Sequence, residues 1–88
     1  MKQVEFRIQT EDINRQKMID LVSYHFSSYS IQVQLGYWIK QIENSVCFII
    51  IATAKKRGIV EMVGRQIRDL NGQECVLITE SPIKVKFI

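Results

Sequence analysis

Eighty-eight residues leave room for one hydrophobic core and no second domain, because a chain this short buries only about 60–65% of the surface its unfolded state exposes. Apolar residues at 47% and charged residues at 24% exclude a disordered chain, and no apolar run reaches the ~20 residues of a membrane-spanning helix. The start, Met-Lys-Gln-Val-Glu-Phe, has no apolar signal core, so the expected home is the cytoplasm. A net charge of +3 permits nucleic acid as a partner without requiring it.

Val4, Phe6 and Ile8 alternate with Glu5, Arg7 and Gln9, the two-residue period of a strand with one buried face. Asp12 or Asn14 then caps a helix over about 13–26, with Ile19, Val22 and Phe26 on its apolar stripe. Ile31, Val33, Leu35 and Tyr37 alternate with Gln32, Gln34, Gly36 and Trp38, which predicts a second strand. The polar stretch Lys40–Ser45 then turns the chain into a hairpin. The return strand, Val46–Thr53, is apolar at every position but the last, so both of its faces need shielding and it belongs in the middle of a sheet.

From Lys55 the period changes to that of a helix. Ile59, Val63, Ile67 and Leu70 form one stripe, and Gly72 closes the helix in the left-handed conformation. Cys75–Thr79 is the fourth strand, Pro82 interrupts it, and Ile83, Val85 and Phe87 alternate with lysines in a possible fifth.

The order βαββαβ with right-handed crossovers predicts an α+β, ferredoxin-like sandwich: an antiparallel sheet ordered four, one, three, two, with both helices on one face. That order sets Cys47 and Cys75 two strand spacings apart, about 9.5 Å, beyond disulfide reach. It also leaves Cys47, Ile49, Ile51, Leu77 and Val85 as candidates for an apolar face needing cover, which predicts a homo-oligomer, dimer or trimer.

Gly36-Tyr37-Trp38-Ile39-Lys40 to Glu43, the apolar strand, the second helix and Leu70-Asn71-Gly72-Gln73-Glu74-Cys75-Val76-Leu77-Ile78 together resemble the layout of the CutA and PII signalling-protein group. The resemblance spans nearly the whole chain. It implies that the middle hairpin projects from a trimer and that a small-molecule or protein ligand meets the subunit clefts beside it. The longer hairpin and the Gly-rich and basic nucleotide-contacting segments of PII proteins are missing, so ATP binding is not carried over.

Candidate chemistry is sparse. One histidine, His25, stands on the first helix without partners for a triad or a metal site, and no phosphate loop or nucleophile elbow occurs, so neither a metal nor a cofactor is expected. The favoured reading is a non-enzymatic binding or regulatory module. Tyr37, Trp38, Lys40 and Glu43 are its candidate contact residues, because aromatics bury large area at small entropic cost. The competing reading is a basic accessory protein that meets nucleic acid through Lys55, Lys56, Arg57, Arg65 and Arg68. Pairing of Arg57 and Arg65 with Glu61 at i,i+4 spacing weighs against it, as does a third strand without base-stacking aromatics.

Overall fold

A computed structural model of the chain describes residues 2–88. The elements follow in the order β1 (Gln3–Glu11), α1 (Arg15–His25), β2 (Ser30–Trp38), β3 (Gln41–Thr53), a 3-10 turn (Ala54–Lys56), α2 (Arg57–Asn71) and β4 (Leu77–Ile83). All four strands form one antiparallel sheet in the order β2-β3-β1-β4, the ferredoxin-like order expected from the crossover rule.

One face of the sheet carries the core. Val4, Phe6 and Ile8 of β1 lie beside Val46, Phe48 and Ile50 of β3, and these meet Met18 and Val22 of α1 and Val60, Val63 and Ile67 of α2. Each large side chain buried there stabilises the fold by about 1.5–3 kcal/mol relative to exposure. On α2 the fully buried stripe runs through Val60, Val63, Gly64 and Ile67, with Ile59 and Leu70 at its margins. Gly64 belongs to that stripe because the helix presses on β4: a Cβ at this position would stand 2.6 Å from Ile78 Cδ1.

Gly72 ends α2 with φ 62°, and its N–H donates to the carbonyls of Arg68 and Asp69, as its place after Asn71 predicts. The start of α1 departs from expectation. Asn14 sits at the cap position with φ 54° and makes no capping bond; its Nδ2 instead donates to Asn71 Oδ1 at 3.0 Å, joining the start of α1 to the end of α2. Asp12 is taken up by the Arg15 guanidinium, which holds its carboxyl below the usual range.

Two boundaries differ from those read in the sequence. The hairpin turn is only Ile39-Lys40, both with positive φ (47° and 62°), so Gln41–Ser45 is strand rather than loop. Because β1 stops at Glu11, opposite Ser45, the hairpin from Leu35 to Asn44 runs on past the rest of the sheet as an arm. β4 begins at Leu77 and continues through Pro82, which pairs with Val4, so Cys75 lies in the preceding loop and no separate fifth strand forms. A proline is tolerated there because β4 is an edge strand with one side free of ladder bonds. Val85, expected on such a fifth strand, is exposed in a terminal segment, 84–88, without regular structure. Among the described residues no helix is long and apolar enough to cross a membrane.

Candidate functional site

The sheet face away from the helices was expected to expose a row of apolar side chains, and it does so only in part. Ile51 and Leu77 are half exposed, Ile49 is partly covered, and Cys47 has no exposed surface at all. Its cover is polar: Gln9 and Gln32 flank it on the neighbouring strands, and Gln34 Nε2 donates to Gln9 Oε1 at 3.0 Å across β3. Burial pushes the Cys47 thiol up from its ordinary pKa, against the opposing pull of Arg7. Both cysteines are free, in line with strand β1 standing between β3 and β4.

The same polar roof is the floor of a cleft of about 460 Å³ on the open face, where the arm leaves the sheet. Four separate segments converge on it. β1 supplies Gln9, Thr10 and Glu11; β2 supplies Gln34, Gly36 and Trp38; β3 supplies Glu43 and Ser45; and the loop from α2 to β4 supplies Gln73 and Glu74. The loop is fastened by Thr10 Oγ1 donating to Gln73 Oε1 at 2.5 Å, and Ser45 Oγ donates to the Gln34 carbonyl at 3.3 Å. Gly36 keeps the floor open, since a Cβ there would lie 3.3 Å from Ser45 Oγ and 3.9 Å from Glu43 Cγ.

The electrostatics of this cleft run against the charge of the whole chain. Glu11, Glu43 and Glu74 line it, and among the described residues no lysine or arginine does, although the net charge is +3. Glu11 pairs with Ser45, and Glu43 stands two residues further along the same face of β3, so the two carboxylates are diagonal neighbours at roughly 7–8 Å between backbones. None of the three belongs to an ion pair among the described residues. The described residues also hold no cluster of histidine, cysteine and carboxylates able to bind a metal. Carboxylates beside the exposed Trp38 ring give the cleft groups that attract positive charge.

Of the predicted contact residues, Tyr37, Trp38 and Glu43 line the cleft, while Lys40 stands at the tip of the arm. Both aromatic rings are exposed, Tyr37 on the helix side opposite Ile42 and Trp38 on the open face opposite Gln41. Tyr37 sits on the arm beyond the helices that would have covered it, and Trp38 faces the cleft. Glu11, Gln34, Gln73 and Glu74 escaped notice, because only the paired register of β1 with β3 and the fastened α2–β4 loop bring them together.

The predicted basic patch is divided. Arg57 Nε and Nη2 each donate to Glu80 at 2.7 Å, Arg68 pairs with Asp69, and Lys55 and Lys56 stand exposed on the 3-10 turn. The expected pairing of Arg57 with Glu61 gives way to Glu80, because β4 runs alongside α2 and offers a bidentate carboxylate. A second groove, between the outer faces of α1 and α2, is lined by Leu21, Tyr24, His25, Met62 and Leu70. There His25 meets Tyr24 edge to face at 4.9 Å.

No family model matches the chain, and no curated protein does. Solved structures do. A phage SAM lyase in its apo state superposes with a TM-score of 0.74 at 21% identity, over 92% of this chain and 81% of the lyase. A DUF3240 family protein from Shewanella baltica OS155 gives 0.78 at 10% identity, over 100% and 97% of the two chains. The nitrogen regulatory PII-like protein CPII from Thiomonas intermedia K12, bound to ADP, AMP and bicarbonate, gives 0.71 at 12% identity, over 100% and 97%. At these identities the likeness establishes the fold, a PII-like ferredoxin-like sandwich, and bears out the resemblance of layout read from the sequence.

Proposed function

We propose that the chain works as a homo-oligomer of PII-like fold that holds a cationic adenosyl compound, S-adenosylmethionine, in the open-face cleft and cleaves it there. The observation that carries this reading is the lining of the cleft: three carboxylates, one exposed tryptophan and, among the described residues, no lysine or arginine, in a chain of net positive charge. A sulfonium is attracted by carboxylates and by the face of an indole, and both attractions grow where the site excludes water. Gln9, Gln34, Ser45 and Gln73 supply the donors and acceptors that fix an adenine and a ribose.

The likeness to a SAM lyase supports both the ligand and the class of reaction. The likeness to CPII, which holds ADP and AMP, supports an occupant of adenosine size. Those nucleotides are anionic, however, and the carboxylate lining repels them. Glu43 is the residue we assign to proton handling or charge stabilisation at the reacting centre, since it faces the cleft beside the room that Gly36 leaves. A regulatory module that binds without turnover is the second reading, supported by the same CPII likeness, and it uses the same cleft.

Calorimetry with S-adenosylmethionine and with ADP, together with chromatography of S-adenosylmethionine after incubation, tests the proposal. Binding of the sulfonium and not of ADP is expected, with turnover lost in Glu43→Gln and affinity reduced on the order of tenfold in Trp38→Ala, the loss of about 1.4 kcal/mol that one cation–π contact supplies. Binding without turnover in the unaltered chain favours the regulatory reading. Tighter binding of ADP, or behaviour indifferent to both substitutions, overturns the site.

A further inference from the structure

The lysines of this chain gather at one end of the sheet. Gln3 pairs with Thr53 on one side and with Ile83 on the other, so the residues adjoining these three meet at the same end. They are Lys2 before β1, Lys55 and Lys56 on the 3-10 turn after β3, and Lys84 and Lys86 after β4. Only two strand spacings, about 9.5 Å, separate Thr53 from Ile83. Five of the chain's seven lysines thus come together from three distant segments. All five are exposed, and none belongs to an ion pair among the described residues.

The carboxylates that could neutralise them are engaged or lie elsewhere. Glu5 is held by Arg7 and Glu80 by Arg57, while Glu61 stands one turn into α2. Glu11, Glu43 and Glu74 line the cleft at the far end of β1, about 27 Å from Gln3 along an extended strand. The molecule is therefore polarised along β1, cationic at the Gln3 end and anionic at the Glu11 end.

Apolar side chains stand among the lysines at the cationic pole. Lys84-Val85-Lys86-Phe87-Ile88 follow β4 without regular structure; Val85 is exposed, and Phe87 is exposed by 95%. Lysines alone would suit any polyanion, and the apolar residues decide between polyanions. Nucleic acid is gripped by arginine forks and by aromatic platforms on which bases stack. Here Arg57 is engaged by Glu80, and Phe87 is the one aromatic ring in the segment. An anionic bilayer matches both features at once: its head groups attract the lysines, and the apolar boundary beneath them takes up Val85 and Phe87.

We propose that the Gln3 end of the molecule docks on an anionic phospholipid surface, with Lys2, Lys55, Lys56, Lys84 and Lys86 over the head groups and Val85 and Phe87 below them. The cleft, at the other end of β1, then stays clear of the bilayer and open to solutes. This docking does not depend on the ligand assigned to the cleft, and its test uses no adenosyl compound.

Co-sedimentation of the full chain with vesicles of phosphatidylcholine, and with an equimolar mixture of phosphatidylcholine and phosphatidylserine, reads the docking directly. Binding to the mixed vesicles alone is expected, with release as salt rises, because screening shortens the reach of the lysines. Each lysine near such a surface raises the partition about fivefold, so Lys55→Ser with Lys56→Ser, and separately Lys84→Ser with Lys86→Ser, lower it about 25-fold. Phe87→Ala lowers it about tenfold. The charge-matched variant Lys17→Ser, Lys40→Ser, altered away from the pole, binds as the parent does. Circular dichroism is unchanged in all four variants, since every altered side chain is exposed. Binding indifferent to Lys55 and Lys56 reduces the surface to an adhesive tail and overturns the proposal, as does equal binding to neutral vesicles. A mobility shift with single-stranded or duplex DNA at salt that abolishes vesicle binding also overturns it, and assigns the pole to nucleic acid.

Discussion

Cys47 lies on the sheet face that no helix covers, and its thiol is nonetheless sealed from solvent. Alternation along β3 places the side chain on that face. What it does not reveal is the roof, because Gln9 and Gln34 are 25 residues apart and meet only through the paired register of three strands. Burial and a raised pKa both suppress the thiolate, the reactive form, whereas Cys75 stands exposed in a loop. A disulfide reagent at neutral pH is therefore expected to titrate one thiol in the native protein and two in denaturant, and the substitution Cys75→Ser to remove the fast one. Two fast thiols in the native protein would show that the glutamine roof opens readily. The cleft was legible in the same partial way. Tyr37, Trp38 and Glu43 stood out as an aromatic pair and a carboxylate near a hairpin, while Glu11 and Glu74 carried no local signal.

The arm formed by β2 and β3 illustrates what an element adds to its residues. Two-residue hairpin turns with both φ positive suit asparagine and glycine, and here they are occupied by Ile39 and Lys40. A β-branched residue in the left-handed region costs about 1–2 kcal/mol. Replacing the pair, Ile39→Asn with Lys40→Gly, is expected to stabilise the protein by about 1–2 kcal/mol in chemical denaturation, and an unchanged midpoint would remove the strain from the account. Strand and helix periods identified the four strands and two α-helices in order, yet not where the arm outruns the sheet, because the end of β1 at Glu11 sets that limit opposite Ser45, 34 residues away. Pro82 misled for a related reason. It reads as a break until β4 is known to be an edge, where a missing N–H costs the ladder nothing.

Across the whole molecule, the helix layer is tied to the outer strand by the fork between Arg57 and Glu80. The guanidinium holds the Glu80 carboxyl below its ordinary value of 4.5, chiefly through the hydrogen bond. A depressed folded-state pKa contributes stability that is present above the unfolded value and is lost as pH falls through the folded one. The melting temperature is expected to drop below about pH 4.5, and Glu80→Gln to lower it at neutral pH while flattening that acid limb; a variant with the same acid profile as the parent would assign the drop to other carboxylates. The sheet order also has a consequence in time. Gln3 pairs with Ile83 on one side and with Thr53 on the other, so β1 receives one neighbour about fifty residues after it is made and the second about eighty residues after. While the ribosome is still at work, the central strand of the finished sheet is an open edge on the nascent chain. Contacts this distant in sequence make closure slow relative to the local β2–β3 hairpin. Until β4 is made, the side of β1 that it covers stands open to pairing with other strands.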